Sequence, residues 1–261
     1  MKNSKVVLLL VACLMISGFA SNRALAQSPN ASVYVVHGIP GHDVSATFDP
    51  ALPVDVQVNG SVCLLSGLTF GTIAGPFTIP AGSYSFTISP ANTLSPCSNT
   101  ALLTVSGVAF TAGENASVVA YLSATGAPGV KKFDNDLTAT PAGQSRLIVQ
   151  HTANAPAVDV ALSQDVYVNL FEAWPATPAV LNNLAVVKAV TNGQQAAALL
   201  PSGPLWNFPL TQIAFTPAGQ SSPVIGPYYF QLVPHSAYLI YAVGSLSTGS
   251  FTVISKTISG V

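Results

Sequence analysis

Charged residues are scarce in this chain: Asp, Glu, Lys and Arg make up only 7% of its 261 residues. Three of the eight basic residues fall within the first 26 positions, so the remainder holds five basic and nine acidic residues, a formal net charge of −4. Nucleic-acid binding needs a clustered basic surface that replaces phosphate counterions, and membrane-surface helices need a basic face. The composition therefore excludes nucleic acid as a partner and a basic membrane-surface patch.

Long apolar runs are absent except at the N-terminus. Two lysines precede the apolar stretch Val6–Ala20, and Ala24-Leu25-Ala26 offers a small-residue cleavage site. This is the pattern of a secretory signal peptide, which we predict over 1–26, with export to the periplasm, cell surface or extracellular space. A lipoprotein signal at Cys13 and an uncleaved anchor are the alternatives, although the run is short for a spanning helix. No later segment reaches the length of an apolar membrane span, so none is expected after cleavage.

Cysteine is also rare, and only Cys63 and Cys97 lie beyond the signal sequence. In an oxidising compartment an isolated pair indicates a disulfide. This bond would close a loop of about 35 residues. A free thiol pair and a metal site are the alternatives, but the spacing does not match a zinc site.

Catalytic motifs are missing from the sequence. It contains no nucleophile elbow, no His-Glu-x-x-His pair and no phosphate loop. Its carboxylates are too sparse to nominate a glycosidase pair. We therefore expect a non-catalytic protein without a cofactor, and a metal-dependent enzyme is the least favoured hypothesis.

Short alternating apolar stretches separated by Gly, Pro and Asn are what the chain has instead. Val33, Val35 and His37 share one face of a predicted strand, and Tyr34 and Val36 share the other. Seven or so such strands within about 105 residues are typical of a β-sandwich. The sequence therefore predicts an all-β protein.

The same motif occurs twice. A strand ending in His37 is followed by Val-Asp55-Val, and a strand ending in His151 is followed by Val-Asp159-Val. We therefore predict two tandem immunoglobulin-like or related β-sandwich domains. Their expected bounds are 27–138 and 145–261, with a Pro- and Gly-containing linker over 139–144.

This arrangement resembles the domain of unknown function 4397, a family of exported and cell-envelope proteins of bacteria and archaea that often occurs in tandem. The second unit keeps Asn154-Ala155-Pro156 after its histidine, whereas an insertion, Gly38–Pro50, interrupts the first. The resemblance covers nearly all of 31–255 and implies the fold and export. It brings no catalytic residues, because the family has no established activity.

One histidine and one aspartate recur in each unit, as His37 with Asp55 and His151 with Asp159. A histidine and a carboxylate can bind a metal or act as an acid–base pair. The simpler interpretation is structural: each ring lies at a strand end, where it can bond a turn backbone or the nearby carboxylate. We expect these four residues to stabilise the first corner of each sandwich.

The insertion of the first unit adds further polar residues beside His37. His42, Asp43 and Asp49 could join it in a metal cluster. Their spacing matches no standard metal motif, so a metal site is not expected.

The function that we expect is binding or adhesion, because recognition is usually placed on loops of a rigid scaffold. The expected partner is a surface polysaccharide or an envelope protein. Candidate contact regions are the insertions Gly38–Pro50 and Phe171–Leu200, with Trp174 as a possible contact. The alternative is a structural envelope or matrix component that self-assembles through uncharged sheet edges.

Overall fold

The structure is a computed structural model that describes residues 29–164, 184–202, 210–220 and 225–261. The predicted signal peptide and Trp174 lie outside these residues. Within them the chain forms a short helix, α1 (Gly41–Val44), and none of the described helices has the length and hydropathy of a membrane span. The strands are β1 (Asn30–His37), β2 (Val54–Val58), β3 (Val62–Leu68), β4 (Ile73–Pro80), β5 (Gly82–Pro90), β6 (Leu103–Phe110), β7 (Asn115–Leu122), β8 (Pro128–Asp134), β9 (Gln144–His151), β10 (Val158–Gln164), β11 (Leu184–Val190), β12 (Gln194–Pro201), β13 (Leu210–Pro217), β14 (Ile225–Gln231), β15 (Ser236–Val243) and β16 (Thr252–Ser259).

The strands form four sheets of four strands each. Strands β1–β8, here called the first sandwich, form sheets of order β4-β1-β7-β8 and β3-β2-β5-β6. Strands β9–β16, the second sandwich, form sheets of order β12-β9-β15-β16 and β11-β10-β13-β14, so each strand number is higher by eight. The pairs β1/β7 and β9/β15 are parallel, and the other pairs are antiparallel. The predicted all-β, sandwich-like fold is confirmed.

Alternation along β1 assigns its side chains to two different apolar layers. Val33 and Val35 lie in the core between the two sheets of the first sandwich. Tyr34 and Val36 point the other way and are buried as well. The two faces therefore match the sequence prediction, and both are covered.

The second face of β1 is covered by the second sandwich. A separate apolar cluster joins residues of β1 and β7 to residues of β9 and β15. The molecule is thus a stack of four sheets, with the β1 and β9 sheets in its middle. Strand β15 is buried at all eight positions, as expected of a central strand covered on both faces. The main contributors to this middle layer are Tyr34, Val36, Val119, Ile148, Leu239 and Tyr241.

The connection from β8 to β9 is tied to the second sandwich. The Arg146 guanidinium donates to the backbone oxygens of Asp136 and Thr138 at 2.9 and 2.6 Å. The Thr140 hydroxyl donates to the backbone oxygen of Val261 at 2.9 Å. The stretch predicted as a linker is therefore held by side-chain hydrogen bonds, and Gln144 already begins β9.

The predicted insertion Phe171–Leu200 is too long, because residues 184–200 are not inserted relative to the first sandwich. These residues form β11 and β12, which pair with β10 and β9 as β3 and β4 pair with β2 and β1. Pro201 ends β12 as Pro80 ends β4. The stretches Leu-Ala-Val-Val and Ala-Ala-Ala-Leu show little alternation between apolar and polar residues. The sequence pattern therefore did not indicate either strand.

Candidate functional site

His37 lies at the end of β1 and is buried. Its Nε2 donates to the backbone oxygen of Leu52 at 2.9 Å, and its Nδ1 accepts the amide of Ile39 at 3.4 Å. Burial lowers the pKa of His37, against the opposing effect of the Leu52 hydrogen bond. The ring is therefore a neutral tautomer that holds the chain after β1.

His151 occupies the same place in the second sandwich. It pairs with Ala242 on β15 as His37 pairs with Ala120 on β7. Its Nε2 donates to the backbone oxygen of Pro156 at 2.8 Å, and burial lowers its pKa in the same way. Each histidine thus bonds the loop that leads to the second strand of its sandwich.

Asp55 on β2 receives backbone amides from β3 and from the loop between β5 and β6. Its Oδ1 accepts the amide of Gly67 at 3.0 Å, and its Oδ2 accepts those of Asn92 and Cys97 at 3.0 and 2.7 Å. Burial raises the pKa of this carboxyl, but the amides of Cys97, Asn92 and Gly67 and the Ser66 hydroxyl outweigh it and hold the pKa below its usual value.

Asp159 on β10 has the same role in the second sandwich as Asp55 has in the first. Its Oδ1 accepts the amide of Ala189 at 2.7 Å, and its Oδ2 accepts that of Gly219 at 2.9 Å. The Gly219 amide, followed by the Ala189 amide, lowers the pKa of this carboxyl. Both aspartates therefore hold backbone turns as ionised acceptors.

The structure does not bring the histidines and aspartates together as acid–base pairs. The ring nitrogen that donates in His37 and His151 goes to a backbone oxygen, and the oxygens of Asp55 and Asp159 accept backbone amides. A general base must reach the proton that it abstracts. These groups are buried or occupied by the fold, so the arrangement suits a corner of a sandwich better than catalysis.

The polar residues of the first insertion also point in different directions. His42 Nε2 lies 3.3 Å from Asp43 Oδ1, and Asp43 Oδ2 accepts the Ser250 hydroxyl of the second sandwich at 2.6 Å. Asp49 Oδ1 instead accepts the amide of Ala51 at 2.8 Å. Across the described ranges, no three His, Cys, Asp or Glu side chains converge on a metal position.

The first half of the insertion is packed between the sandwiches. The Gly38 amide donates to the backbone oxygen of Ala120, and the Gly38 oxygen accepts the amide of Gly244. A Cβ on Gly38 would lie 2.9 Å from the Val243 side chain, so only glycine fits there. The exposed part of the insertion begins at His42 and includes Val44, whose exposed fraction is 37%.

The predicted disulfide between Cys63 and Cys97 is confirmed. It ties β3 to residues 91–102, here called the braced loop. Three further anchors hold this loop: the Asp55 carboxylate, the Asn92 side chain, which caps the amides of Leu94 and Ser95 at 3.0 Å, and the Asn99 amide, which donates to the oxygen of Pro90.

The braced loop exposes Leu94 at 96% of its surface. The loop starts beside the first insertion, because the Ala91 amide donates to the backbone oxygen of Pro53. The end of the first sandwich that carries His37 therefore presents two loops, each with an exposed apolar residue. Sequence reasoning missed this loop, although Pro90, Asn92, Pro96 and Asn99 follow one another closely and are a detectable turn signal.

A comparison with known families found one match. The model of a family described as domain of unknown function (DUF4397) matches residues 31–161. The chain belongs to this family. The matched stretch runs from β1 into β10, so it contains the whole first sandwich and the first corner of the second. No curated protein matches the chain.

Proposed function

We propose that this family member is an exported, non-catalytic binding protein of the cell envelope or surroundings. Its contact surface is the end of the first sandwich formed by the braced loop and the exposed part of Gly38–Pro50. The N-terminal signal pattern and the resemblance to exported proteins support export. The observation that carries the binding role is an exposed leucine on a loop with four separate anchors.

A rigid loop with an apolar tip favours recognition. Ordering a loop during association costs free energy, and a loop that is already ordered avoids that cost. The Cys63–Cys97 bond and the Asp55 carboxylate order this loop beforehand. Leu94 has no packing role inside the molecule, since nearly all of its surface is exposed. Burial of this side chain against a partner would supply the missing contact.

The chemistry of the tip favours an envelope protein over a polysaccharide. Leu94 and Val44 offer aliphatic surface, whereas sugar recognition relies on hydrogen bonds and flat aromatic faces. Trp174 stays a second candidate contact, outside the described residues.

The hydrogen-bond partners of the repeated histidines and aspartates support a non-catalytic role. His37 and His151 bond loop carbonyls, and Asp55 and Asp159 bond loop amides. The proposal extends to domain organisation: two copies of the family domain, over 27–138 and 145–261, built as one stack. The identical strand order of the two sandwiches supports it.

Co-sedimentation with envelope and extracellular-polymer fractions of the source organism tests the binding role. We expect saturable, chelator-insensitive binding that Leu94→Asp weakens by about tenfold. Leu199→Asp on β12 is the matched control, because Leu199 is also an exposed leucine, in the second sandwich. Equal binding by Leu94→Asp and the parent protein would reject the braced loop as the contact surface.

Treatment of the fractions distinguishes the two partner classes. Loss of binding after protease digestion of the envelope identifies a protein partner. Binding that survives protease but is lost after periodate oxidation identifies a polysaccharide instead.

A second candidate function is self-assembly through sheet edges. Strands β6 and β12 are edge strands without a charged residue, and charges normally protect such edges. This hypothesis predicts assembly that depends on concentration in sedimentation velocity. Thr104→Lys on β6 and Ala197→Lys on β12 would then prevent it, and a monomer at all concentrations would reject it.

A further inference from the structure

A cavity of about 220 Å³ lies in the first sandwich, at the end opposite the braced loop. It lies between the two sheets, near the β2–β3 turn and the end of β4, and is open on one side. Aliphatic and aromatic side chains form its wall: Val33, Val58, Leu64, Phe77, Ile79 and Phe86.

The cavity opens at a seam between two edge strands. Strand β3 is an edge of one sheet and β4 is an edge of the other, and the two do not pair. Side chains alone therefore cover this side of the core. Val62, which lines the mouth, has an exposed fraction of 57%. A molecule could enter here without breaking a strand pair.

The polar groups near the mouth do not make the interior polar. The Tyr84 hydroxyl donates to the backbone oxygen of Pro80 at 2.7 Å, and the Asn59 side-chain oxygen accepts the amide of Ser85 at 2.9 Å. A buried water needs two to four polar partners, and an apolar cavity of about 150 Å³ stays dry and takes a benzene-sized molecule. This wall lacks such partners, so the cavity suits an apolar ligand.

The apolar wall and the polar mouth of the cavity together favour one class of ligand. The geometry points to a binding site for a small amphiphile with a single hydrocarbon chain, whose chain fills the cavity and whose polar head remains at the mouth. Asn59 and Ser61 lie at this mouth beside the exposed Val62. Protein interiors are otherwise close-packed, and a chain in the cavity would restore the contacts that its wall lacks.

The site is separate from the contact surface proposed above. Val58 and Val54 are the two ends of β2, and the cavity lies at Val58 whereas the braced loop lies beyond the Val54–Pro90 pair. Leu94 variants should therefore leave ligand binding unchanged, and cavity variants should leave envelope binding unchanged. Failure of either proposal can be told from failure of the other.

Isothermal titration of the purified protein with hexanoate, octanoate, decanoate and dodecanoate, below their micelle concentrations, tests the site. We expect one molecule to bind per protein, with an affinity that peaks at one chain length. Leu64→Trp fills the cavity from edge strand β3 and should weaken binding by about tenfold or more while the thermal midpoint is kept. Leu64→Ala should move the peak to a longer chain.

Leu199→Trp, a leucine-to-tryptophan change on the exposed edge strand β12, is the matched control. Flotation with phosphatidylcholine vesicles shows whether a bilayer lipid can supply the chain: vesicle binding that Leu64→Trp abolishes identifies a lipid, and binding of the free carboxylates alone identifies a soluble amphiphile. Absence of saturable binding at every chain length, or equal binding by Leu64→Trp and the parent protein, overturns the proposal.

Discussion

The hydroxyl oxygens of Ser117 and Tyr241 lie 2.7 Å apart, although 124 residues separate them in the chain. Ser117 is on β7 of the first sandwich and Tyr241 is on β15 of the second. Both are buried, and the Gln150 amide donates to the side-chain oxygen of Asn135 at 3.0 Å in the same layer. Hydrogen bonds in such a dry layer fix one relative position of two apolar surfaces.

Removal of the phenol hydroxyl should weaken this junction. We expect Tyr241→Phe to lower the free energy of unfolding by about 1 kcal/mol, because Ser117 keeps its bond to Asn135. A double-mutant cycle with Ser117→Ala, measured by urea denaturation, should give a coupling energy of about 0.5 kcal/mol or more. Strictly additive effects would contradict a direct bond between the two hydroxyls.

Gly67 and Ala189 occupy equivalent irregular positions near the ends of β3 and β11 and differ in how well they suit them. Both have left-handed backbones, with φ of 69° and 52°, and both amides donate to the repeated aspartate. A side chain in this conformation costs about 1–2 kcal/mol. The first sandwich thus has the residue that fits this backbone conformation, and the second carries the strain.

Exchange of the two residue types tests this difference. Gly67→Ala should lower the free energy of unfolding by about 1 kcal/mol, since open space surrounds Gly67 and only the backbone is affected. Ala189→Gly should raise it by about 0.5 kcal/mol, because the relieved strain exceeds the entropy that glycine adds to the unfolded chain. Ala197→Gly, on an exposed position of β12, is the control and should destabilise. Destabilisation by Ala189→Gly would contradict backbone strain at this position of β11.

The sequence predicted the strands of the first sandwich better than their surroundings. Alternation placed Val33 and Val35 on one face of β1 and Tyr34 and Val36 on the other, and the structure agrees. Alternation shows that a strand has a second apolar face but not which part of the chain covers that face. For β1 the cover comes from β9 and β15, which are distant in the sequence. The packing of the two sandwiches into one stack is therefore a finding of the structure.

The candidate site shows the same division between local and distant information. Two cysteines in a chain with an export signal predicted a disulfide, and the disulfide is present. The partners of Asp55 were not predictable, because backbone amides carry no residue signature and these come from 12, 37 and 42 positions away. A motif such as Val-Asp-Val indicates that a carboxylate matters but not which turns it holds.

Acidification should destabilise the protein through its buried histidines. Burial lowers the pKa of His37 and of His151 in the folded state, so the unfolded chain binds more protons below about pH 6.5. The free energy of unfolding should therefore be highest above that pH and should fall between about pH 6.5 and pH 5. Denaturant titrations over this range measure the change.

A non-titrating replacement isolates the contribution of one ring. His151→Gln retains a donor for the Pro156 oxygen, so it should reduce the pH dependence in that range. The lowered carboxyl pKa values of Asp55 and Asp159 act in a separate range, below about pH 4. A stability that is unchanged from pH 7 to pH 5, or an unaltered slope in His151→Gln, would show that the histidines are not held neutral.

Loss of the disulfide should impair stability and binding together. Cys63→Ser with Cys97→Ser opens a closed loop of about 35 residues, which the chain-entropy relation values at about 3–4 kcal/mol in the free energy of unfolding. Binding to envelope fractions should weaken as well, because the loop that carries Leu94 would then depend on the Asp55, Asn92 and Asn99 hydrogen bonds alone. Reductant should affect the parent protein but not the double variant, in both denaturation and co-sedimentation. Two free thiols in the intact mass of exported material would contradict the bond, whereas a stability loss with full binding would separate the disulfide from recognition.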